Sequence, residues 1–240
     1  MLENPRINIC EMFRSIQGEG RYIGYPSIFV RTSGCNLRCQ WGNTLCDTPY
    51  SSWHAETNLM TIEELLREIL NLRKDAPNLT HLVLTGGEPM LQEHLGELSR
   101  TVAAYGFLTT VETNGTIFRE IPIDFVSLSP KLSSSTPEAP KWQQRHENLR
   151  FQAEVLQQWV DYCDYQFKFV VDKDEDEEEI LDMLSHIDGF QPDHVFLMPQ
   201  GTNVEELKLN ASRCVEMAIR HGWCYTPRAH IEIFGNTRGT

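Results

Sequence analysis

Three of the chain's seven cysteines lie close together in one polar, glycine-containing segment, residues 34–50. Cys35, Cys39 and Cys46 follow a β-branched, apolar run at 27–32 that predicts a strand, so we expect the three thiols on the loop after it. Clustered thiols in a reducing compartment indicate a metal site, and thiolate ligands favour zinc or iron–sulfur centres. Three protein ligands leave one coordination position open for chemistry. Three merely buried thiols would need apolar neighbours, which this segment lacks.

Length and charge narrow the class of protein. The 240 residues are enough for one large domain with a sizeable core. A formal net charge of −13 argues against a protein that grips a nucleic-acid backbone. No run approaches the roughly 18 apolar residues of a membrane span, and the first residues lack the pattern of a signal peptide. We therefore expect a cytoplasmic protein with reduced cysteines and with neither a nucleic-acid nor a membrane partner.

Strand-like and helix-like segments alternate about six times along the chain. Thr61 and Glu64 form a capping box that opens one helix, and Asn203 caps another that runs through Ile219. Two more helices are expected at 91–104 and 147–160, a loop at 132–142, and an acidic helix start at 172–179. The expected strands are 7–13, 27–32, 81–84, 107–111, 123–128, 166–171, 195–198 and 229–234.

This order predicts an α/β fold. The strands are short and apolar on both faces, as in a buried parallel sheet. Six strand–helix units are fewer than the eight of a closed barrel, so we expect a partial, laterally open (β/α)6 barrel that forms a single domain over residues 1–240. The polar and glycine-rich motifs come just after strands, at the edge where parallel α/β folds place their active sites.

The cysteine segment and a second motif carry a resemblance. Cys35-x3-Cys39, then Cys46, then Gly-Gly-Glu-Pro at 86–89 after the next strand resemble the radical S-adenosylmethionine (SAM) superfamily. The resemblance implies that the three cysteines hold a [4Fe–4S] cluster whose fourth iron binds SAM, on a partial barrel of the radical SAM type. The usual spacing in that family is Cys-x3-Cys-x2-Cys. Reading residues 42–45 as an insertion into a tolerant loop restores it, although the sequence does not explain the insertion.

A closer resemblance covers nearly the whole chain. The segments that resemble the 7-carboxy-7-deazaguanine synthase family are residues 11–20, 29–31, 34–39, 46–48, 111–115, 129–131, 198–200 and 235–239. The resemblance implies a radical SAM lyase of queuosine and 7-deazapurine biosynthesis. It would contract the ring of 6-carboxy-5,6,7,8-tetrahydropterin to 7-carboxy-7-deazaguanine and release ammonia. The radical would come from SAM, with no catalytic side chain. The implied partners are an electron donor such as flavodoxin or ferredoxin and a second subunit in a homodimer.

The resemblance also implies roles for particular residues. The SAM-binding residues would be Leu45, Cys46, Asp47, Gly87, Glu88, Glu112, Ser129, Pro130, Lys131 and Gln200, with Gly86 a weaker candidate. The substrate-binding residues would be Ile16, Gln17, Gly18, Glu19, Arg31, Thr85, His230 and the terminal carboxylate of Thr240. Thr48 would offer Mg2+ a hard oxygen ligand, and Arg31 could bind the substrate carboxylate in a bidentate fashion. The structural alternatives are a salt bridge at the end of a strand for Arg31, a core position for His230 and a frayed terminus for Thr240.

Three other functions remain open at this point. A radical SAM activase would make a glycyl radical on a partner protein. A zinc-binding module would use the same three cysteines without catalysis. A diverged paralogue would keep the cluster but act on another heterocycle.

Overall fold

The structure is a computed structural model that describes residues 4–240, so the first three residues of the expected domain lie outside it. Within this range the strands are β1 (Arg6–Ile16), β2 (Pro26–Thr32), β3 (Gln40–Trp41), β4 (Thr44–Leu45), β5 (Asn58–Thr61), β6 (His81–Gly86), β7 (Leu108–Thr113), β8 (Phe125–Leu128), β9 (Asp164–Val171), β10 (Val195–Pro199) and β11 (Cys224–Tyr225). The helices are α1 (Ile62–Arg73), α2 (Leu95–Ala103), α3 (Pro140–Leu149), α4 (Ala153–Tyr162), α5 (Asp176–Ser185), α6 (Val204–His221) and α7 (Ala229–Phe234). None of these helices is long and apolar enough to cross a membrane.

One sheet organises the molecule, in the order β11-β10-β9-β8-β7-β6-β2-β1-β5. The strands from β2 through β6, β7, β8, β9 and β10 to β11 are parallel, and β1 and β5 extend the sheet as antiparallel strands. The sheet begins at β11 and ends at β5, so it is open at the side. The expected open partial barrel is confirmed. The strand expected at 7–13 is β1, which runs antiparallel, and β5 is a further strand that the sequence did not indicate.

The hydrophobic core lies on one face of this sheet. Successive residues of a strand point to opposite faces, and in β9 the fully buried Phe167 and Phe169 alternate with the polar residues Gln166 and Lys168. Phe167 and Phe169 belong to the same hydrophobic core as buried side chains of α1, α2, α4, α5 and α6. Burying each such side chain stabilises the fold by roughly 1.5–3 kcal/mol. The prediction that the strands are apolar on both faces is therefore wrong for the other, concave face.

Several expected elements differ in the structure. The segment 229–234 is the helix α7 rather than a final strand, because Ile231 is buried while Ile233 and Phe234 are exposed, which is not the alternation of a strand. The helix expected at 147–160 is two helices, α3 and α4, and the expected loop at 132–142 overlaps the start of α3. Pro140 occupies the first turn of α3, where a missing N–H costs nothing. The expected helix at 91–104 is confirmed over a shorter range as α2.

The two predicted helix caps are confirmed. The Glu64 backbone N–H donates to the Thr61 hydroxyl, and the Glu64 carboxylate accepts from the Thr61 backbone N–H at 2.8 Å. The Glu206 backbone N–H donates to the Asn203 side chain at 2.9 Å at the start of α6. These caps satisfy backbone donors that the helices themselves cannot use.

Candidate active site

The concave face of the sheet and the loops at its carboxyl edge enclose a cleft of about 420 Å³. Most of the residues expected at the SAM, metal and substrate sites line it. They are Ile16, Gln17, Gly18, Glu19, Arg31, Cys35, Cys39, Leu45, Cys46, Asp47, Thr48, Thr85, Gly86, Gly87, Glu112, Ser129, Lys131, Gln200, His230 and Thr240. Glu88 and Pro130 lie outside this lining. A single cleft thus brings together residues that are up to 224 positions apart in the chain.

The unexplained insertion forms a small β-hairpin. β3 and β4 pair around Gly42 and Asn43, and Gly42 has a φ of 53°, which suits the first central position of a tight hairpin turn. At the base of the hairpin the Cys46 backbone N–H donates to the Cys39 carbonyl at 3.0 Å. If only two residues separated these cysteines, the same hydrogen bond would close an ordinary β-turn. The insertion therefore leaves Cys39 and Cys46 as close together as the shorter spacing would.

The three thiols are largely enclosed. Burial raises the pKa of the Cys35 thiol to about 12, and burial also raises the pKa values of Cys39 and Cys46. Iron binds thiolates, so coordination would displace these protons. Soft sulfur donors on a loop that opens into a cleft fit an iron–sulfur cluster. Among residues 4–240 no three His, Cys, Asp or Glu side chains are arranged to hold a single metal ion.

The two glycines of the Gly-Gly-Glu-Pro motif allow β6 to approach the cysteine loop. Gly86 has a φ of 138°, a conformation that favours glycine, and a Cβ on Gly87 would overlap the carbonyl oxygen of Gly34. Glu88 is fully buried behind the cleft. Its carboxylate accepts from the Thr113 hydroxyl at 2.7 Å and the Asn114 N–H at 2.8 Å, which ties the β6 loop to the end of β7.

A network of buried charges crosses the cleft. The Arg228 guanidinium donates to Glu19 at 3.0 Å and to the Gly201 carbonyl at 2.8 Å, and it forms an ion pair with Asp47. Lys168 forms a second ion pair with Glu19. Burial disfavours the charged form of Glu19, but Lys168 and Arg228 offset it and hold the pKa of that carboxyl well below its ordinary value. The network consists of two carboxylates and two cationic side chains, so its net charge is zero.

Sequence reasoning did not identify Lys168 or Arg228. One feature of the sequence could have identified Lys168, namely its place between two phenylalanines in an apolar strand. A lysine in such a strand is rarely buried without a partner, so this position indicates a buried charge pair. No such feature identifies Arg228, since its partners are far away in the chain.

The expected substrate residues have partners inside the protein. Gln17 donates to Glu112 at 2.9 Å, and the Thr85 hydroxyl donates to the other oxygen of Glu112 at 2.8 Å. Arg31 forms a salt bridge with Glu11 at 2.8 Å, the arrangement that the structural alternative anticipated, while it also lines the cleft. Glu112 therefore fixes the orientation of two polar side chains that face the cleft.

His230 and the chain end reach the cleft from the C-terminal side. His230 lies on helix α7, not on a strand as predicted, and a Cβ on Gly18 would overlap its ring. The terminal residues 236–240 line the cleft. Arg238 holds them there, because it donates to Glu11 at 2.8 Å and its guanidinium carbon lies 4.1 Å from the centre of the Tyr50 ring.

Comparisons with known proteins agree with this geometry. The Radical SAM superfamily model matches residues 29–158. A 7-carboxy-7-deazaguanine synthase of Halobacterium salinarum is 41% identical over 99% of this chain and 94% of that protein, and one of Rhodopirellula baltica is 40% identical over 97% and 88%. The crystal structure of QueE from Escherichia coli superposes with a TM-score of 0.70 at 26% identity over 94% of this chain and 95% of that one. The chain therefore belongs to the 7-carboxy-7-deazaguanine synthase family of radical SAM enzymes.

Proposed function

We propose that this enzyme converts 6-carboxy-5,6,7,8-tetrahydropterin to 7-carboxy-7-deazaguanine with release of ammonia, in 7-deazapurine and queuosine biosynthesis. The observation that carries the proposal is that three cysteines, the residue 16–19 loop and the chain end line one cleft. An activase would need an opening that admits a protein segment, and this cleft has the size of a small-molecule site. The relatives named for the deazaguanine reaction match this chain along nearly its whole length.

Cys35, Cys39 and Cys46 would hold the [4Fe–4S] cluster. When bound, the cluster and SAM supply the one-electron chemistry that removes a hydrogen atom from the substrate. The side of the cleft proposed to bind SAM is formed by Leu45, Cys46, Asp47, Gly87, Ser129, Lys131 and Gln200. Glu88 and Pro130 would act from behind it by shaping the loops, since they do not line the cleft.

The pterin would bind between the residue 16–19 loop and the chain end. Arg31 offers a guanidinium to the substrate carboxylate, and Gln17 and Thr85 offer polar groups that Glu112 orients. His230, which packs against Gly18, and the Thr240 carboxylate would complete the pterin site. The contribution of these residues is to orient the substrate and to exclude water from the reacting atoms.

Mg2+ would bind at Thr48. Its hydroxyl lies 3.5 Å from the Cys46 sulfur, so an ion held there would be next to the cluster. Mg2+ takes few protein ligands and fills its other positions with water and substrate oxygens, which suits a single hydroxyl facing an anionic substrate.

We further propose that the chain is a single domain that acts in the cytoplasm as a homodimer and receives electrons from a carrier such as flavodoxin or ferredoxin. All seven cysteines are free thiols, which is typical of a reducing compartment.

The test is anaerobic incubation of the reconstituted enzyme with the pterin, SAM, dithionite and Mg2+. We expect mass spectrometry to detect 7-carboxy-7-deazaguanine, with the SAM recovered after turnover. Omitting Mg2+ should lower the rate and leave the iron content unchanged. Absence of the deazaguanine in the complete mixture would refute the proposed reaction.

A further inference from the structure

A surface of cations and aromatic rings covers the outside of the cysteine loop. Its members are Arg38, Trp53, Lys141, Trp142 and Arg145, which we call the basic–aromatic patch. Around the Trp142 ring centre lie the Arg38 guanidinium at 4.6 Å, the Lys141 ammonium at 5.4 Å and the Arg145 guanidinium at 5.8 Å. Trp53 packs edge-on against Trp142 with the ring centres 6.5 Å apart. Three cations thus surround one indole ring.

The patch contacts the backbone that carries the thiols. Arg38 donates to the carbonyl of Cys35 at 2.7 Å, and the Trp53 indole N–H donates to the carbonyl of Cys39 at 3.2 Å. Lys141 and Arg145 are exposed on the outer side, and Trp142 is partly exposed. Arg38 and Trp53 thus connect the outer members of the patch to the backbone of the cysteine loop.

The charge of the patch is opposite to that of the whole chain. The protein has a formal net charge of −13, yet the patch contributes three positive charges. On the same helix the acid Glu147 pairs with Arg150 at 2.8 Å, and Arg150 also pairs with Glu179. A positive patch on an acidic protein attracts an acidic partner to that place, while the acidic remainder of the surface repels it. Trp and Arg are also the residue types that dominate protein–protein binding energy.

We propose that the basic–aromatic patch is the docking surface for an acidic one-electron carrier protein. The inference rests on the proposed function, which needs one electron from outside. That electron would leave the reduced flavin or iron–sulfur centre of the carrier and reduce the cluster held by Cys35, Cys39 and Cys46, with no atoms exchanged. Electron tunnelling falls steeply with distance, so docking over the backbone of these cysteines gives a shorter path than docking elsewhere on the sheet or its helices.

The experiment compares two double variants of the holoenzyme with the same total change of charge. Lys141→Glu/Arg145→Glu reverses the patch, whereas Arg100→Glu/Lys208→Glu reverses two exposed cations on α2 and α6. The probe is a purified flavodoxin of net negative charge, and calorimetry measures its Kd at low and at physiological salt. We expect the patch variant to raise Kd about tenfold at low salt and to flatten the salt dependence, with the control changed less than about twofold.

A single variant separates docking from loop support. Arg145 also donates to the Asn36 carbonyl at 3.2 Å, whereas Lys141→Glu changes only an exposed side chain. We expect Lys141→Glu to raise Kd about threefold. Iron content and the rate with dithionite should equal those of the wild type.

Three outcomes would overturn the inference. The first is that the patch variant binds flavodoxin with an unchanged Kd. The second is that the α2–α6 control raises Kd as much as the patch variant does. The third is that the patch variant changes the self-association of the enzyme and not its binding of flavodoxin. The last would mean that the patch holds a second copy of the chain. Failure of the proposed function would be seen in a different experiment, in which the wild type makes no deazaguanine with dithionite. The comparison of Kd values tests docking independently of that result.

Discussion

At the scale of single residues, Arg228 connects three loops that are distant in the sequence. Its guanidinium contacts Glu19 in the residue 16–19 loop, Asp47 beside the third cysteine and the carbonyl of Gly201 after β10. Only 8% of Arg228 is exposed, so water cannot replace these contacts. Removing one partner of a buried charge pair leaves the other charge uncompensated.

Replacing Arg228 should therefore destabilise the fold and disturb the cleft. We expect Arg228→Met to lower the free energy of unfolding by about 3–5 kcal/mol, and Arg228→Lys by less, because lysine keeps the charge but loses the planar fork. Urea unfolding followed by circular dichroism measures the difference.

The matched control is Arg220→Met, which removes a largely exposed partner of Glu177. Such a surface pair contributes about 0–1 kcal/mol. Equal urea midpoints for Arg228→Met and the wild type would show that the network does not hold the loops.

The assignment of Cys46 as the third cluster ligand makes a second prediction. We expect Cys46→Ala to lose the iron and the visible absorbance after anaerobic reconstitution, because two thiolates cannot hold the cluster stably. Cys163→Ala is the control, since Cys163 is partly buried at the end of α4 and does not line the cleft. Normal iron content in Cys46→Ala would rule out this ligand set.

At the scale of elements, the β3–β4 hairpin shows how the cysteine loop tolerates extra residues. The hydrogen bond from Cys46 to the carbonyl of Cys39 closes the hairpin at its base, so the added residues project from the loop without separating the cysteines. The insertion thus changes the rim of the cleft, where Trp41 and Leu45 lie, more than it changes the thiols.

Deleting residues 42–45 should leave a functional cluster site. The shortened segment Cys39-Gln40-Trp41-Cys46 can close with the same hydrogen bond as a β-turn. We expect the iron content per chain to match that of the wild type, measured by colorimetric iron assay and by absorbance after reconstitution. A second deletion of the same length, residues 40–43, restores the same spacing without Trp41 and tests whether spacing alone suffices. Loss of iron in both deletions would mean that the hairpin itself is needed to position Cys46.

At the scale of the whole molecule, strand β1 and the C-terminal segment come together at the cleft. Residues 236–240 line it, and Arg238 anchors them on Glu11 and Glu56 at 2.8 Å. Strand β1 and the chain end thereby form one wall of the proposed substrate site.

Extending the chain beyond Thr240 should therefore weaken pterin binding. We expect a C-terminal tag to raise KM for the pterin with little change in kcat, because it removes the carboxylate from its place and crowds the wall of the cleft. Arg238→Ala should act in the same direction by releasing the segment. Steady-state kinetics with an N-terminally tagged control measure both effects. Equal KM values for the two tagged proteins would show that the terminal carboxylate does not bind the substrate.

The features that the sequence alone determined are those with a local signal. The periodic strands and helices, the caps at Thr61 and Asn203, and the motifs that follow strands depend on neighbouring residues, so they could be found without coordinates. They were enough to predict the open barrel and the residues that share its carboxyl edge.

Tertiary structure alone decided the features that depend on distant contacts. The polar concave face of β9, the helix α7 in place of a strand, and the ion pairs of Arg228 and Lys168 all involve partners more than a hundred residues away. A hydrophobic pattern shows that a strand is buried, but not whether its second face meets helices or a cleft. That choice follows from the curvature of the whole sheet, which no single segment encodes.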